Sequence, residues 1–203
     1  VCAPELVRKV DMAAAWPDER KQREVAFYGK TLFSMENKYP RVEHFCLMSA
    51  EDSYTGWHID FHGSSVWYHV LRGEKVFFIV APTEENLQRY EEYLKDEKDD
   101  RFFGEYVHCT RVVVKAGNTL LLPSGWMHAV YTPKDSLVFG GNFIHVRAIE
   151  MQIRITKQED RERHRQGYIF KSCYKRILTY SKRITAESHR SPAYSSRFQE
   201  SAR

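Results

Sequence analysis

Apolar and polar residues alternate in short runs through the middle of the chain, and Gly and Pro punctuate them. Such runs predict strands, because side chains two apart share one face of a pleated sheet. VEHFCLMS, just after Pro40, is the first. SVWYHVLRGEKVFFIVAP reads as two strands joined by a turn at Arg72-Gly73-Glu74. RVVVK, TLLLP, WMHAVYTP and SLVFGGNFIH continue the series, with turns at AGN and SG. Many short strands broken in this way predict a β-sandwich or barrel.

Helical spacing surrounds this region and interrupts it once. Residues 5–38 mix apolar and charged positions, and the stripe Leu6, Val7, Val10, Ala14 ends at Trp16-Pro17. TEENLQRYEEYLKDEK predicts a helix capped by Thr83, with acidic residues in its first turn and Leu87, Tyr90 and Leu94 on one face. After His145, EMQIRITKQEDRERHRQGY and IFKSCYKRILTYSKRI read as basic helices. The chain divides into a helical flank (1–39), a β-rich unit (40–155), basic helices (156–190) and a polar tail (191–203) expected to lack fixed structure.

Composition narrows the class. A chain of 203 residues, 42% hydrophobic and 29% charged, suits one domain with a sizeable core. No apolar run approaches the roughly 20 residues of a membrane span, so no membrane association is expected. Cys2, Cys46, Cys109 and Cys173 are scattered without a Cys-x-x-Cys pair. That argues against a zinc finger or disulfide framework and fits a reducing compartment. The net charge of +4 is unevenly spread: Arg154 to Arg203 hold 13 Lys and Arg against 5 Asp and Glu, the remainder 18 against 22. A basic C-terminal segment suits an acidic partner such as DNA, and solvated helix faces explain it too.

Candidate chemistry concentrates in YTGWHIDFHGSSVWYH. In a strand His58 and Asp60 project to one face, roughly 6.5 Å apart. His128, in GWMHAV, is the best third ligand. Two histidines and one carboxylate would form a facial triad of the kind that holds Fe(II) in oxygenases. The dipeptide alone is weak evidence, and His62, His69, His108 and His145 take the structural reading. Lys75 opens the apolar strand KVFFIV, either as an edge residue or as the buried partner of an anion; the cost of an unpaired buried cation favours the edge. Thr55 and Tyr68 offer hydroxyls nearby.

Taken together, YTGWHIDFHGSSVWYHVLRGEKVFFIVAPT, GNTLLLPSGWMHAVYTPKDSLVFGGNFIH and EMQIRI resemble a JmjC (Jumonji C) domain, most closely that of histone lysine demethylases which carry F-box and CXXC modules or a PHD finger elsewhere in the chain. The resemblance covers about residues 40–155. It implies a mainly β fold with flanking helices, a double-stranded β-helix (jelly-roll, cupin-like) with a C-terminal helical extension. It implies His58, Asp60 and His128 as ligands of Fe(II), and Lys75, Thr55 and Tyr68 as contacts of 2-oxoglutarate. Trp57 and Asn142 are implied at the substrate pocket. The family usually has Asp-Phe at Gly56-Trp57 and Gly at His62, so the pocket is expected to be reshaped here.

The implied activity uses dioxygen and 2-oxoglutarate to hydroxylate an N-methyl group of mono- or dimethyl-lysine on the histone H3 tail, releasing formaldehyde and succinate. A nuclear, monomeric catalytic domain acting on nucleosomes is expected, with DNA contacts through Lys171, Lys175, Lys182 and Arg183. A 2-oxoglutarate-dependent protein hydroxylase, or a catalytically weak chromatin-binding module, are the competing readings.

Overall fold

The computed structural model describes residues 3–8, 44–95, 101–144 and 146–165. Most of the expected N-terminal helical flank, the second basic helix and the polar tail lie outside the described residues.

A short helix α1 (Glu5–Arg8) precedes six strands: β1 (Phe45–Ser49), β2 (Tyr54–His58), β3 (Ser65–Val80), β4 (Thr110–Lys115), β5 (Thr119–Leu122) and β6 (Met127–Phe143). Helix α2 (Glu84–Tyr93) joins β3 to the β4 segment, and α3 (Ile149–Arg165) follows β6. All strand pairings are antiparallel.

Where the sequence predicts a turn at Gly73, the structure has one strand, β3, running from Ser65 to Val80. The runs WMHAVYTP and SLVFGGNFIH likewise fuse into β6. The reason is pairing. The two long strands are each other's partners from Ser65↔Phe143 to Val80↔Met127, so neither folds back on itself. Both slip in register around Gly73, a β-bulge. Gly73 has φ +79°, and a Cβ there would lie 2.3 Å from the Asp135 carbonyl oxygen and 2.4 Å from Ser136 Oγ. Ser136 Oγ in turn accepts the Glu74 N–H across 3.2 Å, patching the ladder where the bulge interrupts it.

The bulge divides each long strand into halves that serve different layers. One layer has the order β1–β6–β3–β5, using the C-terminal half of β6 and the N-terminal half of β3. The other has the order β2–β6–β3–β4, using the opposite halves. Two four-stranded antiparallel layers sharing two bent strands make the expected double-stranded β-helix. Tyr68, Val70 and Val138 of the first layer pack on Phe77, Val114 and Val130 of the second. The rings of Tyr68 and Phe77 meet edge to face at 5.0 Å.

The helices cover outer surfaces. Ala3 and Val7 pack on Trp67 and Phe143, which alternate with interior Tyr68 and Asn142. Thr83 caps α2 by accepting the Asn86 N–H at 3.1 Å, and Glu84 and Glu85 face the positive helix end, as expected. Leu87 and Tyr90 of α2 and Ile155 of α3 join Trp57, Val80, Phe103, Met127 and Ala129 in a second core cluster. Arg154 on α3 pairs bidentately with Glu84 on α2, so one helix orients the other beside the open end of the barrel.

Candidate metal centre and co-substrate site

Strand pairing assembles the candidate ligands. His58 on β2 lies opposite His128 on β6, with ring centroids 4.0 Å apart. Asp60 is not on the strand, which stops at His58. It caps a 3-10 turn at Phe61–Gly63 that swings the carboxylate back. The ligand atoms of His58, Asp60 and His128 all lie within 4.8 Å of one another. Gly63, at φ +62°, lets this turn press on α3: a Cβ would sit 3.0 Å from Ile155 Cβ and 3.1 Å from Gln152 Cα.

The two imidazoles are oriented for ligation. His58 Nδ1 lies 2.9 Å from the Gly56 carbonyl oxygen, and His128 Nδ1 lies 3.1 Å from that of Trp126. A carbonyl only accepts, so each Nδ1 carries the proton and each Nε2 keeps its lone pair for a metal. Burial, reinforced by neighbouring His58, lowers the pKa of His128 to about 3 and keeps it neutral at physiological pH. Burial raises the pKa of Asp60, opposed by His58 and by a hydrogen bond from Asn142. Asn142 is itself buried and donates from Nδ2 to Ser64 Oγ at 3.1 Å. Two nitrogens and one ionisable oxygen, each held from behind by a hydrogen bond or a buried neighbour, match the donor set of a non-haem Fe(II) site.

Deeper in the barrel, Lys75 is only 3% exposed. Its Nζ donates to Thr132 Oγ1 at 2.7 Å, and burial lowers its pKa to about 8. Lys75 shares a face of β3 with Phe77, and Thr132 shares a face of β6 with Val130 and His128. Thr55 pairs with Val130, so its side chain turns to the same interior side, though it remains exposed at the edge. Four residues of strand separate His128 from Thr132, about 13 Å. Tyr68, 7% exposed, faces this interior from the other layer.

Trp57 departs from expectation. Strand alternation sends it away from His58, into the core cluster, where its ring meets Phe102 at 5.2 Å and Phe103 at 5.4 Å. It supports β2 from outside rather than walling the pocket. His62 and His69 stand apart from the cluster. His62 pairs with Glu159 on α3, and His69 Nδ1 lies 2.8 Å from Thr119 Oγ1. Sequence reasoning missed Thr132 and Ser64. The period-two series His128, Val130, Thr132 was the available signal for the first; Ser64 carried none.

Comparison with known proteins agrees with this geometry. Residues 45–143 match the family model for the JmjC domain, described as a hydroxylase. A Caenorhabditis elegans protein named JmjC domain-containing histone demethylation protein 1 is 47% identical over 79% of this chain and 15% of its own length. Lysine-specific demethylase 2A of Xenopus tropicalis is 43% identical over 92% of this chain and 17% of its own. The Danio rerio histone lysine demethylase PHF8 is 45% identical over 78% of this chain and 14% of its own. This chain therefore spans about one sixth of these relatives. A solved Drosophila melanogaster CENP-C bound to CAL1 overlaps at a TM-score of 0.37 and 10% identity, covering 52% of this chain and 65% of its own, too loosely to carry an argument. The chain belongs to the JmjC family, and residues 45–143 are its JmjC domain.

Proposed function

We propose that this chain is an Fe(II)- and 2-oxoglutarate-dependent dioxygenase that demethylates mono- or dimethyl-lysine on the histone H3 tail. The observation that carries the reading is Lys75. A buried ammonium with one neutral partner among the described residues is costly unless an anion arrives, and it shares the barrel interior with a triad of metal-ligand type. In this reading His58, Asp60 and His128 hold the iron. Lys75 and Thr132 receive the remote carboxylate of 2-oxoglutarate, with Thr55 and Tyr68 beside it.

Bound Fe(II) would supply activation of dioxygen, with 2-oxoglutarate oxidised to succinate and carbon dioxide while an N-methyl C–H becomes C–OH. The protein's part is positional. The carbonyls of Gly56 and Trp126 fix the Nδ1–H tautomer of His58 and His128 and leave each Nε2 for the metal, and burial keeps His128 neutral. Asn142 steadies the Asp60 carboxylate. The apolar interior around Phe77, Val130 and Val138 excludes water. The N-hydroxymethyl product then loses formaldehyde and leaves the amine with one methyl group fewer.

The relatives' names support histone as substrate, and with it a nuclear setting on chromatin. Residues 40–155 form the catalytic unit in this reading, and α3 begins the basic helical extension whose later part would face nucleosomal DNA. The test is incubation of methylated H3 peptides with the protein, Fe(II), ascorbate and 2-oxoglutarate. Demethylation gives 14 Da losses by mass spectrometry. Stable 16 Da gains would instead identify a protein hydroxylase, and no mass change with good iron loading overturns both.

A further inference from the structure

A groove of about 330 Å³ opens between α2 and α3 and reaches His58. Its apolar floor is Ile59, Tyr90, Leu94 and Ile155. Its rim carries Glu91, Glu159 and Glu162 against Lys95 and Arg161, an excess of one carboxylate, with Arg161 paired to Glu91 and His62 to Glu159. Gln158 also lines it, only 8% exposed, and its buried Oε1 has no hydrogen-bond partner among the described residues. Leaving such an acceptor unpaired is unfavourable, and nearly all buried polar groups find partners. Helix α3 nevertheless holds Gln158 in place through the buried neighbours Ile155 and Thr156.

We propose that this groove takes the stretch of substrate polypeptide flanking the reacting lysine, with Gln158 hydrogen-bonded to its main chain. Three features single out that occupant. The groove shares His58 with the candidate metal centre, so a chain lying in it runs beside the triad. Its rim, with one carboxylate in excess, suits a basic tail better than an acidic one. An extended main chain offers N–H and C=O alternately, so it satisfies the Gln158 amide in either orientation. The inference rests on the demethylase reading above and assigns Gln158 as a specificity residue rather than a catalytic one.

The test uses the full chain and a fluorescently labelled methylated H3 peptide, with affinity read by anisotropy and 2-oxoglutarate affinity measured in parallel. Gln158→Leu keeps the volume and removes the acceptor. Loss of one hydrogen bond should weaken peptide binding about 3- to 10-fold. Leu94→Trp, at a 39% exposed position, fills the groove and should weaken it by a similar factor or more. Both variants should keep wild-type 2-oxoglutarate affinity and an undiminished melting temperature. Peptide binding unchanged in both variants overturns the groove assignment and leaves the demethylase reading standing. A wild-type protein that binds and demethylates no H3 peptide overturns both.

Discussion

Lys75 Nζ donates to Thr132 Oγ1 across 2.7 Å, and both side chains are almost wholly buried on the interior of the barrel. A neutral hydroxyl cannot offset the cost of desolvating an ammonium, so burial brings the Lys75 pKa down to about 8. The sign of the consequence follows. Below pH 8 Lys75 is charged in folded and unfolded chains alike, and the fold carries the desolvation penalty. Between about 8 and the ordinary lysine value near 10.5 the folded lysine sheds its proton first, so this residue makes the metal-free protein more stable as pH rises.

Co-substrate affinity should run the other way. A dianion needs the charged lysine, so 2-oxoglutarate affinity should hold steady up to pH 8 and fall toward tenfold per unit above it. Lys75→Met should flatten that profile and reduce affinity at neutral pH by roughly 10- to 100-fold, the loss of a charge-assisted bond of about 1.5–3 kcal/mol. Stability of the variant should match or exceed wild type, because Met fills the space without a buried charge. Titration calorimetry across pH decides it. A wild-type profile with no decline above pH 8 would mean that Lys75 is not the anchor.

Asp60→Asn tests the triad through stability as well as turnover. The Asp60 carboxylate pays a desolvation penalty that an amide avoids, so the metal-free variant should melt no lower than wild type. Wild type should gain stability with added Fe(II) under anaerobic conditions, about 2.7 kcal/mol at a hundredfold excess over the dissociation constant. The variant should lose most of that gain. Equal metal-induced shifts in both proteins would remove Asp60 from the ligand set.

His62 occupies the left-handed region at φ +53°, where a non-glycine residue is uncommon. Glu159 holds it twice, through the backbone N–H at 2.8 Å and through Nδ1 at 2.9 Å. His62→Gly keeps the backbone bond and relieves the φ constraint while losing the ion pair with Glu159 and the ring contact with Phe61, so unfolding free energy should change by about 1 kcal/mol. His62→Val forces a β-branched residue into the same conformation and should cost about 1–3 kcal/mol. Urea denaturation of both variants checks this. A large loss in the glycine variant would show that the ring, not the backbone bond, pins the turn to α3.

Much of this was legible because short-range rules governed it. The Thr83 cap, Leu87 and Tyr90 of the apolar stripe, and the strand runs RVVVK and TLLL are local patterns, and the structure has them; Leu94, the third of the stripe, lies past the end of α2 and is exposed. The JmjC resemblance placed distant His128 and Lys75 with His58 before any distance was known. What the residues did not reveal depends on pairing across the chain. Asp60 looked like a strand residue because His-x-Asp alternates correctly, yet tertiary packing of Gly63 on Ile155 bends the chain there. Trp57 looked like a pocket wall through its neighbour His58, and the same alternation that aims His58 inward sends Trp57 to the helices. Arg72-Gly73-Glu74 carries ordinary turn chemistry; only the partner strand β6 decides between hairpin and bulge.

That last case gives the sharpest test of the architecture. A hairpin turn at Gly73 would leave its Cα facing solvent and tolerate alanine at modest cost. In the bulge, an added Cβ meets the Asp135 carbonyl oxygen at 2.3 Å and Ser136 Cα at 2.9 Å, both backbone atoms of β6 that cannot step aside without breaking the ladder. The φ of +79° adds strain for any L side chain. Gly73→Ala should therefore destabilise the protein by more than about 2 kcal/mol, measured by chemical denaturation. Because Lys75 follows two residues later on β3, its side chain should lose its seat against Thr132, and 2-oxoglutarate affinity should fall in the folded fraction as well. Gly117, also at positive φ but with nothing within 4 Å of a Cβ, is the control: Gly117→Ala carries φ strain alone and should cost about 1 kcal/mol with co-substrate affinity intact. Equal effects at both positions would argue that the layers are not joined through a bulge at Gly73.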